Sequence, residues 1–524
     1  MAAAVLRADE KWLRIRTGPF EILSSAGEAG ARQRALEAEQ LRHVFATITG
    51  VKEPVAVWPI RVLLRKGAGP GAISTSRDSY FSEAASNAPF SSDWKKACIR
   101  ILLDSNVNRM PAGIESGLIA LLSTLEVKGT FLTLGAPPPT AERTRDWARL
   151  EMLATDPELS VHLRVFLYNM TQGADLDAAY RNAFEKRAAE MEKRVDAYLA
   201  AGDFKPAPFP GRALSERDFT VREVAALEGR AALADLDGTE AAYRALPSPL
   251  REEGLGLLAE RAGHAAEAQN NYEAATKAGS KNARAWAGTG TREALAKASE
   301  LNPLWPEPWH LLAALEKQPA PQIAALRKAA TLARRDAALW AALAMALQNN
   351  NQYSEGARAW TAAEVAATSE QERDHLRQER RDIETKRVEF EAAERSRIAG
   401  EQARDLQRVK DRSMSEIRVA ESKANSEMQK SGPKPAKVED WWDDSTGPKE
   451  KATGKLERVE CLRSGSRWTI LTDQGKRLTL RIADPGKIAL TGEAHKTMGC
   501  GPQKPALRVS VEYEKNELKA VEFQ

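Results

Sequence analysis

The sequence predicts a mainly α-helical chain with an α+β N-terminal domain, a solenoid of helical repeats, a long charged helix and a small β C-terminal domain. Three observations support this prediction. Ala-rich helical pairs recur in the middle of the chain, charges of both signs dominate the next segment, and apolar residues alternate with polar ones near the C-terminus. The predicted domains are 9–204, 219–368, 369–430 and 455–524, with a linker at 431–454.

A pattern of large and small residues repeats after 31 residues in the central region. A large residue beside a small one lets two helices cross closely, and the second helix of each pair repeats the arrangement. Because one pair cannot cover its own apolar face, successive pairs are expected to stack. The predicted packing residues are Leu255, Gly256, Ala268 and Tyr272 in an early copy, and Trp309, Leu312, Ala313, Trp340, Leu343, Ala344 and Trp360 in later copies.

These repeats resemble the tetratricopeptide repeat family. The stop at Leu301-Asn302-Pro303 before Trp309 is typical of its punctuation, since proline ends one helix before the next begins. The step is shorter than the ideal of roughly 34 residues, so the copies are degenerate. The resemblance implies a concave groove that binds a protein or peptide partner. An ordinary Ala-rich bundle is the alternative.

Composition argues against several classes of function. Lys and Arg number 77 against 73 Asp and Glu, for a formal net charge of +4, and this balance does not favour a nucleic-acid partner. No apolar run approaches the ~18 residues of a membrane helix, so no transmembrane segment is predicted. The first residues, Met1 to Ala8, contain a short apolar piece but no complete secretion signal.

The three cysteines differ in their setting. Cys98 stands apart and is predicted to be a free thiol. Cys461 and Cys500 share the predicted β domain, where pairing would close a loop of about 39 residues and stabilise it by about 3–4 kcal/mol. A disulfide would indicate an oxidising compartment. The sequence leaves the pairing open.

The N-terminal region predicts alternating strands and helices. Gly50 should end its first long helix, because glycine is common just beyond helix ends. The predicted segments are strands at 12–23, a helix at 26–48, β structure at 55–64, a Gly-, Pro- and Ser-rich loop at 66–92, helices at 94–104 and 114–125, a strand at 128–134, helices at 140–201 and a linker at 205–210.

This region resembles the peptidase-MA-like (gluzincin-type) domains that precede tetratricopeptide arrays in bacterial envelope proteins. The resemblance covers roughly 12–204. It includes the opening from Trp12 to Gly27 and is sharpest from Pro111 to Pro138, in Gly117-Leu118, Ser123-Thr124-Leu125 and Leu134-Gly135-Ala136-Pro137. It implies an α+β fold and a location in the cell envelope or outside the cell.

The chemistry of that family requires His-Glu-x-x-His on a helix and a downstream Glu, which together bind zinc and supply a general base. In this chain the ligand positions fall on Lys96, Arg100 and Ser116, and the position of the base falls on Ala97. Two cations would repel a divalent metal, and alanine cannot accept a proton. The prediction is a pseudopeptidase without a metal or other cofactor, although different chemistry at an unrelated site stays open.

Other candidate groups in this region are weaker. Cys98 could be a nucleophile, but no nearby His could serve as its base, so a buried cysteine is favoured. His162 lies among apolar residues and is interpreted as a packed or surface histidine. Lys95, Lys96 and Arg100 form a predicted basic helix face that is either solvated or holds an anionic group.

The C-terminal third changes character twice. Dense charges at 370–429 predict one long exposed helix, with a coiled-coil dimer as the alternative. In the linker, the acidic-aromatic run 440–444 either docks on a partner or packs on a neighbouring domain. Alternating strands from Arg467 onward predict a barrel-like sheet, for which a nucleic-acid role has little support.

These patterns favour a non-catalytic interaction scaffold of the bacterial envelope. Two other hypotheses stay open. One is a zinc metallopeptidase with a displaced metal site. The other is a receptor that binds peptides or glycans in the former peptidase cleft. The identity of the partner and the oligomeric state stay open as well.

Overall fold

The computed structural model describes residues 11–69, 71–430, 450–462, 465–484, 488–492 and 499–524. The chain divides into two compact units, Met1–Ala403 and Arg404–Gln524. Among the helices within the described ranges, none combines the length and apolar character that a bilayer crossing requires.

The first unit begins with mixed strands and helices, here called the N-terminal part (residues 11–224), and continues with helices alone, the helical part (residues 226–403). The N-terminal part contains β1 (Trp12–Thr17), β2 (Phe20–Ser24), α1 (Glu28–Thr49), β3 (Ile60–Arg65), β4 (Ser74–Thr75), β5 (Tyr80–Ala85), α2 (Ser92–Asn106), α3 (Ala112–Ser123), β6 (Glu126–Lys128), β7 (Phe131–Leu134), α4 (Arg145–Thr155), α5 (Leu163–Thr171), α6 (Leu176–Phe184), α7 (Ala188–Ala201), β8 (Ala207–Pro210) and β9 (Arg222–Val224). The helices that follow are α8 (Ala226–Asp237), α9 (Glu240–Arg244), α10 (Leu250–Arg261), α11 (Ala265–Lys277), α12 (Ala283–Ala287), α13 (Arg292–Leu301), α14 (Glu307–Leu315), α15 (Pro319–Leu332), α16 (Ala337–Asn349), α17 (Tyr353–Ala366) and α18 (Glu370–Lys430), the last of which continues beyond residue 403.

The main sheet of the N-terminal part has the strand order β4-β5-β3-β2-β1-β9. Strands β2, β3 and β5 run parallel, whereas β1 is antiparallel to β2 and β9. Because parallel strands begin at the same edge, the turns that precede β2, β3 and β5 lie together. Helix α1 packs on the sheet through small and aromatic residues such as Ala35 and Phe45, and it ends at Gly50, which is left-handed. Helix α2 begins at Ser91, whose hydroxyl accepts the backbone N–H of Trp94 at 3.2 Å.

Three segments differ from the predicted loops and strands. The predicted loop 66–92 contains β5, which pairs with β3 and buries Phe81. The sequence did not indicate this six-residue strand, because the Gly and Ser residues on either side of it are typical of a loop. The predicted strand 128–134 is a hairpin of β6 and β7, since Gly129 has a positive φ and turns the chain. The predicted linker 205–210 contains β8, whose prolines lie on the edge of the β6-β7-β8 sheet, where a missing N–H is tolerated.

Consecutive helices of the helical part pack against one another, as the repeat pattern predicts. Gly256 shows why small residues are needed, because a Cβ there would lie 2.5 Å from the ring of Tyr272. One pair, α12 and α13, lies between the predicted copies, and the sequence pattern assigns no packing residues to it, since α12 has only five residues. The indoles of Trp286 and Trp340 hold equivalent places, because each donates to the carbonyl oxygen six residues earlier, at 2.8 and 3.1 Å.

Helix α18 is 61 residues long, and its first turns belong to the helical part. Leu376 and Ile383 are buried there, and the rings of Tyr353 and Phe390 are 5.1 Å apart. From residue 395 to residue 430 every side chain is exposed.

The second unit contains the strands β10 (Glu450–Leu462), β11 (Gly465–Thr472), β12 (Arg477–Ile482), β13 (Ala489–Thr491), β14 (Gly501–Glu514) and β15 (Glu517–Phe523). They form a six-stranded sheet in the order β12-β11-β10-β14-β15-β13, and a further pairing of β12 with β15 closes five strands into a ring. Cys461 and Cys500 form a disulfide. The predicted linker 431–454 ends earlier than expected, because residues 450–454 already pair in β10; residues 431–449, with the acidic-aromatic run, lie outside the described residues.

Candidate functional site

The positions of the predicted remnant metal site lie on α2 and α3, which pack against each other. The ammonium of Lys96 donates to Glu142 at 2.7 Å, and the hydroxyl of Ser116 donates to Asp146 at 3.2 Å. Both polar positions are therefore engaged by carboxylates of the N-terminal part itself. Within the residues that the structure describes, no group of three or more His, Cys, Asp and Glu side chains is arranged to hold a metal ion.

The prediction that three cations form a basic face on α2 is wrong for one of them, Lys95. Arg100 is exposed and Ala97 is half-buried, but Lys95 points inward. Its ammonium donates to the carbonyl oxygen of Leu125 at 2.7 Å and lies 3.4 Å from Glu37. The helical period explains the difference, since Lys95 shares a face with buried apolar residues four and seven positions later. A buried ammonium requires partners of this kind.

Cys98 and His162 provide no catalytic pair. Cys98 is a free, fully buried cysteine, and burial raises the pKa of its thiol well above the ordinary value, so it stays protonated. His162 is exposed, and its ring is nearly perpendicular to that of Phe184, with 6.3 Å between the ring centroids. Neither side chain has the setting of a nucleophile or a base.

The predicted repeat residues divide by burial. Trp360 is the tryptophan that packs fully between helices, whereas the two tryptophans that open the later copies lie at the border of the core. The buried members are Gly256, Ala268, Tyr272, Leu312, Ala313, Leu343, Ala344 and Trp360, and the half-buried members are Leu255, Trp309 and Trp340.

Turns between the helices hold the helical part against the N-terminal part. Asn302, after α13, donates to the carbonyl oxygen of Val57 at 2.9 Å. Arg335, after α15, donates to both carboxylate oxygens of Glu115 on α3. Arg109 donates to the carbonyl oxygen of the last residue of α17 at 3.0 Å. Successive helical pairs are thus fastened along one edge.

Arg77 is the centre of a buried ion-pair network in this contact. Its guanidinium donates to Asp235 at 2.8 and 3.1 Å and to Glu253 at 2.7 Å. The hydroxyl of Tyr243 donates to Asp235 at 3.1 Å, and that of Ser280 donates to Glu253 at 2.6 Å. Because the two carboxylates come from α8 and α10, one side chain of the N-terminal part connects two helices.

The network continues to Arg61, which donates to Glu21 at 2.6 Å and to Asp78 at 2.7 Å. Burial raises the pKa of a carboxyl, but at Asp78 the attraction of Arg61 and Arg77 outweighs it and holds the pKa well below the ordinary value. At Glu253 burial outweighs the attraction of Arg77, so the pKa of Glu253 is raised. The network therefore joins a strongly ionised carboxylate to one that is harder to ionise.

A cavity of about 950 Å³ lies between the N-terminal part and the helical part, and this network lines part of it. One wall consists of the turns before β2, β3 and β5 with the loop 53–59. The other consists of α8, the start of α10, the turn 279–283 and the end of α13. This volume is typical of ligand sites in proteins. Its charged lining residues are Arg14, Arg16, Arg42, Arg61, Arg77 and Lys281 with Glu21, Glu53, Asp78, Glu228 and Glu253.

Sequence reasoning missed this cavity because no motif marks it. Arg77 lies in a stretch whose sequence predicts a loop, and its partners Asp235 and Glu253 are at sequence separations of 158 and 176. The available signal was weak: Asp235 and Glu253 are acidic residues on the buried faces of Ala-rich helices. Buried carboxylates need a distant cation, and the sequence alone does not identify it.

Comparison with known proteins leaves the family of the chain open. No protein-family model matches the sequence, and no curated protein matches it. Among solved structures, the crystal structure of MamA protein is similar over 27% of this chain and 92% of the MamA chain, with 16% identity and a TM-score of 0.20. A TM-score this low carries no argument, so the helical-repeat architecture rests on the helices themselves.

Proposed function

We propose that this chain is a non-catalytic interaction protein whose helical part binds a protein partner, while the N-terminal part holds the helices in place. The observation that carries the proposal is a pair of apolar positions that recurs after 31 residues, here called the apolar surface of α14 and α16. Ala314 and Leu315 on α14 are exposed. The positions 31 residues later on α16 are Met345, which is exposed, and Ala346, which is half-buried. Stacked helical pairs present extended surfaces of this kind to partners.

The pseudopeptidase identity of the N-terminal part belongs to this proposal. It is supported by the side chains at the motif positions, since Lys96 and Ser116 already bind carboxylates and Ala97 has no polar group. It is supported also by Glu115, whose carboxylate is engaged by Arg335. The tetratricopeptide identity of the repeats is the second part of the proposal, and it rests on the 31-residue spacing.

We infer a location in the bacterial envelope or outside the cell. The support is the disulfide between Cys461 and Cys500, because disulfides persist in oxidising compartments. Thiol labelling of the chain in fractionated cells tests this inference. Protected Cys461 and Cys500 support it, and labelled thiols in a cytosolic fraction contradict it.

A zinc peptidase with a displaced metal site is the competing hypothesis. Elemental analysis of the dialysed protein separates the two, because a zinc enzyme retains about one zinc per chain. We expect near-zero zinc. A stoichiometric amount would contradict the non-catalytic proposal and would require a peptidase assay.

The proposed partner surface is tested by photo-crosslinking in cells. A photoreactive amino acid is placed at Leu315 or Met345, and at Phe131 as an exposed apolar control on β7 of the N-terminal part. We expect one discrete adduct from positions 315 and 345 and none from 131. Adducts from all three positions, or from 131 alone, would contradict a partner surface on the helical part.

A further inference from the structure

We propose that the cavity between the N-terminal part and the helical part binds a short extended peptide segment with apolar side chains and a net charge near zero. The site is separate from the apolar surface of α14 and α16, so this inference goes beyond the proposed function. It rests on three properties of the cavity: fixed walls, apolar side chains open to it, and a balanced set of charges.

The walls are fixed by contacts between the two parts. Asn302 holds the loop 53–59 through the carbonyl oxygen of Val57, and the rings of Trp58 and Trp305 are 5.0 Å apart. The guanidinium of Arg284 lies over both rings, at 5.5 and 5.7 Å from their centroids. At the floor, Arg77 connects the sheet to α8 and α10. The cavity is therefore pre-formed, as ligand sites usually are.

Apolar side chains line both walls and stay partly open. Val55 on the loop and Leu304 after α13 are each 37% exposed. Leaving such groups in water is unfavourable, and a ligand with apolar side chains would cover them. Other apolar lining residues that are not fully buried are Pro19, Val57, Pro59, Leu227, Pro249, Leu250 and Leu301.

The charges of the lining exclude ligands with a large net charge. Arg61 and Arg77 already bind carboxylates, so a polyanion would have to compete with Asp78 and Glu253, and a polycation would face the arginines. The accessible polar groups have both signs, since the side chain of Asp78 is 39% exposed and that of Arg16 is 67% exposed.

A peptide backbone matches this pattern. Its N–H groups donate to a carboxylate and its carbonyl oxygens accept from a guanidinium, without adding net charge. A sugar would instead need an open aromatic face, and the aromatic lining residues Phe20 and Trp58 are buried.

The probe is an immobilised array of ten-residue peptides of random sequence, screened with the full chain. Bound peptides are then synthesised with a fluorophore, and their affinities are measured by fluorescence anisotropy. The cavity variants are Val55→Glu and Leu304→Glu, which introduce a charge on opposite walls. The matched controls are Leu315→Glu and Met345→Glu, which introduce the same charge on the apolar surface of α14 and α16.

We expect the cavity variants to weaken peptide binding on the order of tenfold, because a carboxylate is desolvated beside the ligand, and the controls to leave it unchanged. All four side chains are exposed, so thermal melting should match the wild type. The inference is overturned if no peptide binds, or if the controls lose binding while the cavity variants keep it. That second result would leave the proposed partner surface intact.

Discussion

Arg335 and Glu115 join the helical part to α3 through two hydrogen bonds of 2.5 Å. Arg335 also lies 3.3 Å from Asp104, and its side chain is only 8% exposed. Glu115 neighbours Ser116, the position at which the peptidase resemblance requires a third zinc ligand. The carboxylate next to that position in sequence therefore holds a helical turn in place.

Replacing Arg335 should destabilise the first unit strongly. In Arg335→Met the carboxylate of Glu115 loses its cation in a mostly buried setting, although it keeps the backbone N–H of Met110, and we expect a loss of about 3 kcal/mol in the free energy of unfolding. Arg327→Met is the control, because its pair with Glu355 is half-exposed and should contribute less than about 1 kcal/mol. Chemical denaturation measures both. Equal losses in the free energy of unfolding would mean that the Arg335 contact stabilises the chain no more than an exposed ion pair does.

Removing Arg77 should have a larger effect, because two buried carboxylates lose their hydrogen-bonded cation, while Asp235 keeps the more distant Arg61, at 3.9 Å. We expect Arg77→Met to lose about 4 kcal/mol in the free energy of unfolding, and Arg16→Met, whose side chain is 67% exposed, to lose less than about 1 kcal/mol. The second replacement Asp235→Asn should restore part of the loss, since it removes one of the two buried charges that lost their hydrogen-bonded cation. The wild type, the two single variants and the double variant form a double-mutant cycle. If the losses in stability are not additive, Arg77 and Asp235 interact as the network requires.

How much of the structure can be predicted from the sequence depends on how far apart along the chain the interacting residues lie. Helices of the repeat region follow from local periodicity, and the exposed α18 follows from its dense charges. Strand β5 was missed because its flanking Gly and Ser residues suggest a loop. The inward direction of Lys95 was missed because its partners, Glu37 and the carbonyl oxygen of Leu125, come from distant segments.

The cavity lies beyond local reasoning for the same physical reason. Its lining comes from turns and helices that are far apart in sequence, from Arg14 to Leu304. No periodicity relates Arg77 to Asp235 and Glu253, since the contact depends on how the helical part lies on the sheet. The positions Lys96 and Ser116, by contrast, follow from local sequence motifs, and they lie on the neighbouring helices α2 and α3.

The close approach of α10 and α11 gives a test of repeat packing. In Gly256→Ala the new Cβ would lie 2.5 Å from the ring of Tyr272, so the helices must separate, and we expect a loss of about 2 kcal/mol in stability. Gly400→Ala is the control, because that position in α18 has open space around it and alanine favours helices by about 1 kcal/mol over glycine. Calorimetric melting should show opposite signs. A neutral Gly256→Ala would contradict tight packing between these helices.

Glu151 on α4 should make stability depend on pH. It is fully buried, one carboxylate oxygen has no hydrogen-bond partner among the described residues, and burial raises its pKa from 4.5 to about 7. Hydrogen bonds from Tyr198 and Thr155 oppose this shift without cancelling it. Between these two pKa values the folded chain keeps the proton and the unfolded chain releases it.

The contribution of Glu151 to stability is therefore complete below pH 4.5, falls as pH rises toward about 7, and stays low above that, with a total change of up to about 3 kcal/mol. Glu151→Gln mimics the protonated acid, so it should remove this decline and raise stability at pH 8. Glu126→Gln, at an exposed carboxylate, should keep the wild-type profile. Urea denaturation at a series of pH values measures the three profiles. If Glu151→Gln still shows the decline, another group carries the pH dependence.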